Sequence, residues 1–202
     1  MRVDFNISEK DNNNPRLETA LPTLKFLIEK KSKIVILSQS YPVALVDWKP
    51  ISAKNFNNDY QAALVYYKNA LEIYAKDSAV LDADETKTEI KRAVLDNLIE
   101  NALIEKKLRQ EIGNNKFYET ISNKIEEAVE KGDVRKAAET LYGFSFDEFK
   151  ERVLTPQAKK EILEELFKKD FEEKLKEIKS AAKIIMLLPD FEWNGEGVII
   201  KE

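Results

Sequence analysis

AVLDNLIENALIEKKL, residues 93–108, is the stretch whose reading decides the fold. With Ile90 ahead of it, the apolar set Ile90, Val94, Leu95, Leu98, Ile99, Ala102 and Leu103 recurs at spacings of three and four. Those spacings put seven apolar residues on one wide helical stripe. So wide a stripe marks a helix at the centre of a core, and Gly113 ends it. Asp82-Ala83-Asp84 punctuates the chain just before it and supplies the cap.

Upstream, residues 55 to about 76 carry Phe56, Tyr60, Ala63, Leu64, Tyr67, Leu71 and Tyr74 on a second helical face, with Ser52 placed to cap its start. Ahead of that helix, PVALVDWKPIS (42–52) reads as two short extended pieces about a turn at Asp47 to Lys49. Downstream, Phe117 to Glu130 gives a third helix and Asp133 to Tyr142 a fourth that Gly143 stops. Ser145-Phe146-Asp147-Glu148 has the S-x-x-E form of a capping box and starts a fifth. Thr155-Pro156 places a capping hydroxyl and a first-turn proline at the head of a last helix. Its apolar positions Ile162, Leu166, Phe167, Phe171, Leu175 and Ile178 run toward Met186. In the tail, Asn194-Gly195 lies between β-formers, which predicts a hairpin or a final strand paired with Val43 to Asp47.

The first forty residues follow another plan. Arg2 to Ile7 alternates as a strand, Asp11 to Pro15 turns, Leu17 to Lys31 has helical spacing, and Lys33 to Ser38 is a short apolar strand. A lone β-α-β unit cannot bury both faces of its sheet, so this piece is an incomplete fold. The expected organisation is a β-α-β segment over 1–40 and a helical domain over 41–202, mainly α with short strands.

Composition narrows the function. Of 202 residues, 43% are hydrophobic and 35% charged, with only five Gly and six Pro, the balance of a folded helical protein. The net charge of −4 comes from interleaved acids and bases, so no nucleic-acid partner is expected. There is no histidine and no cysteine. Their absence removes Ser-His and Cys-His catalysis, thiolate sites and the usual zinc sites together. The glutamates at 161, 164, 165, 172 and 173 alternate with lysines at helical spacing and read as a solvated face, so no metal and no cofactor are expected. No apolar run reaches membrane-spanning length, and the start Arg2-Val3-Asp4-Phe5 lacks a signal-peptide plan. As given, the chain carries no address and reads as cytoplasmic.

Three quoted pieces in order, VALVDWKPIS, AVLDNLIENALIEKKL and YGFSFDEFKERVLTPQAKKEIL, resemble the N-terminal chaperone domain of SurA-type and PrsA-type proteins over about residues 43–190. Trp48-Lys49 stands where that family has an Asn-Gly turn. The resemblance implies an extracytoplasmic, non-catalytic module that binds unfolded or extended polypeptide on exposed apolar and aromatic helical surface. The aromatics to inspect are Tyr60, Tyr66, Tyr67 and Tyr74 on the first long helix, with Phe144, Phe146 and Phe149 about the capping box. Tyr66 is foremost because it falls off the main stripe. The family's isomerase domain uses histidines, so no isomerase activity is expected. A purely structural docking or homodimerisation module is the alternative.

Residues 2–38 are similar instead to the first strand, helix and strand of phosphoglycerate kinase. In that family the residues matching Asp4, Asn6 and Arg16 contact phosphoglycerate. The match stops at Ser38-Gln39-Ser40-Tyr41-Pro42, and the first glycine of the chain is Gly113, so no nucleotide cradle follows. The resemblance thus implies at most a vestigial phosphoglycerate contact in a fused fragment, without kinase activity.

Overall fold

Two hydrophobic cores share one long helix. The computed structural model describes residues 41–73, 81–131 and 134–201. The β-α-β segment expected over 1–40 and the residue Tyr74 lie outside them. From Pro42 onward the chain forms one compact unit, mainly α with short antiparallel strands.

Strands β1 (Pro42–Val46) and β2 (Lys49–Ser52) form the expected hairpin, with Val46 opposite Lys49 across a two-residue turn. Both turn residues have positive φ, 48° at Asp47 and 69° at Trp48, the pattern of a type I′ turn. For a bulky L-residue that conformation costs about 1–2 kcal/mol, and here no glycine relieves it. Asp47 holds the turn from beneath. One carboxylate oxygen accepts from the Lys106 ammonium at 2.8 Å and the other from the Lys183 amide at 3.0 Å.

Helix α1 (Ala53–Ile73) starts where Ser52 Oγ accepts from the Asn55 amide at 3.2 Å, the expected cap. Helix α2 (Asp84–Ile112) is the spine. Its N-terminal residue Ala83 offers no side-chain cap, so the two aspartates do not act as expected; Asp84 sits in the first turn, where its charge suits the helix dipole. Ile90, Val94, Leu95, Ile99 and Leu103 pack with Val43, Ala44, Val46, Ile51, Phe56, Phe191 and Val198 in one core. From the very next residue on, Ile104 and Leu108 enter the other, with Phe117, Ile121, Ile125, Phe149, Ile162, Leu163, Phe171 and Leu175. Gly113 (φ 78°) ends α2 and releases α3 (Asn114–Lys131).

Helix α4 (Val134–Ala137) runs into a π-helical turn, Ala138–Tyr142, which left-handed Gly143 (φ 64°) closes as expected. The capping box is formed in both directions, Glu148 N–H to Ser145 Oγ and Ser145 N–H to Glu148 Oε2, at the head of α5 (Phe146–Phe149). A second π turn, Lys150–Leu154, then leads without interruption into α6 (Thr155–Phe167). Because the chain is already helical there, Thr155 caps nothing; its hydroxyl donates back to the Lys150 carbonyl at 2.8 Å, while Pro156 occupies the first turn as expected.

The expected single last helix is broken. Lys168 takes φ 50°, a 3₁₀ turn spans Lys168–Asp170, and α7 (Phe171–Ala181) follows. The chain then leaves helix for β3 (Ile184–Met186), which pairs antiparallel with β1 to give the sheet order β2-β1-β3. The strand beside Val43 to Asp47 is therefore β3 and not the tail. The tail forms its own hairpin, β4 (Phe191–Trp193) and β5 (Val198–Ile200), about a loop in which Asn194 Oδ1 accepts from the Glu196 and Gly197 amides. Helix α2 docks it: Asp96 Oδ1 accepts from the Val198 amide at 2.9 Å, and Arg92 donates to the Val198 carbonyl at 3.1 Å.

Candidate functional site

Between α1, the second π turn and the start of α6, an open groove of about 460 Å³ lies over the middle of α2. Tyr66, Tyr67, Tyr142 and Phe144 wall one end, Leu98, Ile104 and Val153 contribute apolar surface, and Asn97 and Asn101 present carboxamides.

Local structure explains how the rings meet. A π turn inserts one extra residue, so side chains after it point away from the face that a 3.6-residue period would give them. The first π turn delivers Tyr142 to the groove, and the second delivers Arg152 and Val153. Gly143 then reverses the backbone and lays Phe144 back on Tyr142, centroids 5.8 Å apart. From across the groove Tyr66 stacks on the other side of Tyr142 at 4.9 Å, and Tyr67 meets Tyr66 edge-on at 5.7 Å. The result is a ladder of near-parallel rings, the geometry aromatic pairs favour. Burial, with a smaller effect from Tyr66, raises the Tyr142 hydroxyl above its ordinary value and keeps it a proton donor.

Two fastenings tie α1 to the two π turns. Asn69 on α1 donates its side-chain amide to the Thr140 and Leu141 carbonyls, at 3.2 and 3.0 Å, and so occupies carbonyls that the end of a helix leaves free. Nearer its other end, Arg152 Nη1 donates to Asp59 Oδ1. Burial pushes the Asp59 carboxyl up, against the opposing pull of the Arg152 hydrogen bond and charge. Glu100, also in the lining, accepts from Lys160 at 3.1 Å and Lys179 at 2.6 Å. Burial works to raise its carboxyl, but the two lysines outweigh it and hold it below the ordinary carboxylate value.

Of the aromatics singled out from sequence, Tyr66, Tyr67 and Phe144 come together on the groove. Phe149 is buried beneath Tyr142, edge-to-face at 5.2 Å, and packs the core. Tyr60 stacks on Phe56 at 6.3 Å, with the Lys91 ammonium 5.6 Å from its ring centre, and does not line the groove. Phe146 carries the Arg135 guanidinium on its face at 4.2 Å. Tyr74, Asp4, Asn6 and Arg16 lie outside the described residues. Tyr142, the middle rung of the ladder, was missed by the sequence reading because it looked like the last residue before a glycine stop. The Tyr-Gly-Phe sequence at 142–144 was the available signal, since a left-handed glycine between two rings can fold one onto the other.

Among the described residues no group of His, Cys, Asp or Glu side chains is arranged to hold a metal ion, and no helix is long and apolar enough to cross a membrane. Comparison with protein-family models, with curated proteins and with solved structures finds no match in any of the three. The two family resemblances therefore rest on the quoted motifs alone.

Proposed function

We propose that residues 42–201 act as a non-catalytic holder of extended or unfolded polypeptide, with the client lying in the groove between α1 and α6. The observation that carries this reading is the ring ladder of Tyr66, Tyr142 and Phe144 set in an open, largely apolar groove. Client side chains leave water against the ring edges and the aliphatic floor, while Asn97 and Asn101 offer carboxamides to a client backbone. The lining charges are already matched, Asp59 with Arg152 and Glu100 with lysines, so selection rests on apolar surface and not on charge.

Burying one large side chain of about 150–250 Å² at ~25 cal/mol per Å² yields about 4–6 kcal/mol before ordering costs. Affinities of about tens of micromolar at best, and about millimolar once ordering is subtracted, follow, suited to transient holding. The SurA-type resemblance of residues 43–190 points the same way, and by that resemblance the working compartment is extracytoplasmic.

The test is fluorescence anisotropy with labelled unstructured peptides, alongside light scattering of an aggregating client. The parent chain should bind apolar peptides and suppress aggregation at near-stoichiometric amounts, and Tyr66→Ala with Phe144→Ala should abolish both while circular dichroism stays helical. Absence of peptide binding by the parent, together with self-association in sedimentation equilibrium that the same double variant disrupts, would replace the holder with a homodimerisation module.

A further inference from the structure

The β1–β2 turn carries a residue that works against its own backbone. Trp48 adopts φ 69° in a turn that glycine or asparagine fits best, yet its ring leaves 66% of the residue exposed, so burial does not repay the strain. Among the described residues its ring faces a cation, the Lys183 ammonium 4.4 Å from the ring centre. Lys49 is exposed beside it, and Lys106 stands behind the turn, bonded to Asp47. Both Asp47 oxygens are occupied, one by Lys106 and one by the Lys183 amide, so the only acid in the turn is neutralised. The turn is thus a rigid, convex tip with one large amphipathic ring among lysines.

We propose that this tip is a reversible anchor for an anionic bilayer surface, with Trp48 entering the headgroup layer and Lys49 and Lys183 facing lipid phosphates. An indole ring prefers that boundary, where its body meets acyl chain and its N–H meets water. Lysines beside it gain from the negative surface potential. A folded protein partner fits less well: stable interfaces bury about 800 Å² on each side around an apolar centre, whereas a two-residue turn offers one apolar residue on a convex point. A fluid headgroup layer moulds to such a point. Because the whole chain carries −4, the attraction is local and orients the molecule tip-first.

Vesicles of phosphatidylcholine mixed in equal parts with phosphatidylglycerol provide the probe, with pure phosphatidylcholine vesicles as the comparison. Trp193→Phe leaves Trp48 as the sole tryptophan reporter and removes an indole N–H that is buried without a partner among the described residues, so the fold should tolerate it. Its emission should shift to the blue with the anionic vesicles, less with the neutral ones, and less again in high salt. Trp48→Gly on the otherwise native chain should lower co-sedimentation with the anionic vesicles about tenfold or more, while its urea midpoint stays equal or rises, because Asp-Gly suits the turn. That pairing of lost binding with kept stability separates anchoring from misfolding. No emission shift, equal co-sedimentation of Trp48→Gly, or an identical shift produced by polyglutamate in place of vesicles would each overturn the proposal.

Discussion

Lys159 and Glu105 allow a prediction in which the two halves of one ion pair are unequal. Lys159 on α6 has only 8% of its side chain exposed, and its ammonium donates to Glu105 Oε2 at 2.6 Å and to Asn101 Oδ1 at 3.4 Å. Glu105 on α2 is 34% exposed, and its other oxygen accepts two hydrogen bonds from Arg109, at 3.0 and 2.9 Å. Lys159→Met deletes the buried charge and keeps the aliphatic stem, while Glu105 retains Arg109 and water. The lost charged hydrogen bond and the relieved desolvation nearly cancel, so the expected cost is about 1 kcal/mol or less. Glu105→Leu strands a buried ammonium on one long contact to Asn101, a fault of about 3 kcal/mol or more. Arg109 is less affected by that change, because it keeps the Tyr118 hydroxyl at 3.2 Å and the Phe117 ring at 3.8 Å. The double variant, with neither charge left, should cost about 1–2 kcal/mol, well below the sum of the two single changes. Urea denaturation followed by far-ultraviolet circular dichroism measures all four corners of the cycle. A Lys159→Met loss equal to that of Glu105→Leu, or an additive double variant, would refute the view that the buried cation is the costly member.

Two further perturbations follow from the same structure. Ser145→Ala removes the hydroxyl that accepts the Glu148 amide at the capping box, and the loss should be about 1 kcal/mol in the same unfolding assay. For pH, the Glu100 carboxyl is held below its ordinary 4.5 in the folded chain, so near that value the unfolded chain binds more protons than the folded one. Stability from this group is present above the ordinary value and drains away as acid takes the pH down through the lowered one. Glu100→Gln should therefore be less stable than the parent at neutral pH and show a shallower decline as the pH falls below the ordinary carboxylate range.

How much of this was legible beforehand varies with the physics of each element. Caps and stops were readable where one side chain or one missing Cβ does the work: Ser52, Gly113, Gly143 and the Ser145–Glu148 box all act as their residue types predict. The break at Lys168 was not readable. Phe167 and Phe171 keep a four-residue spacing across it, so the apolar period passes through a turn that holds neither glycine nor proline. The π turns were hidden for a related reason: one added residue blurs a three-and-four pattern without erasing it. That blur conceals how Tyr142 and Val153 reach the groove. Strand β3 was lost because Ile184–Met186 continues the apolar run of the preceding helix, and only the partner β1 gives it a strand's identity. Of the groove itself, the sequence disclosed Tyr66, Tyr67 and Phe144 but not the middle rung, Tyr142.

Helix α2 also has a consequence for how the molecule comes apart. It runs from Asp84 to Ile112 with no glycine or proline, and it supplies Leu103 to one core and Ile104 to the other. The cores thus hang from a common beam and have no joint between them. Loosening either core strips packing from part of α2, so the damage is passed to the other core through the contact at 103–104 and reaches the groove that α2 helps to line.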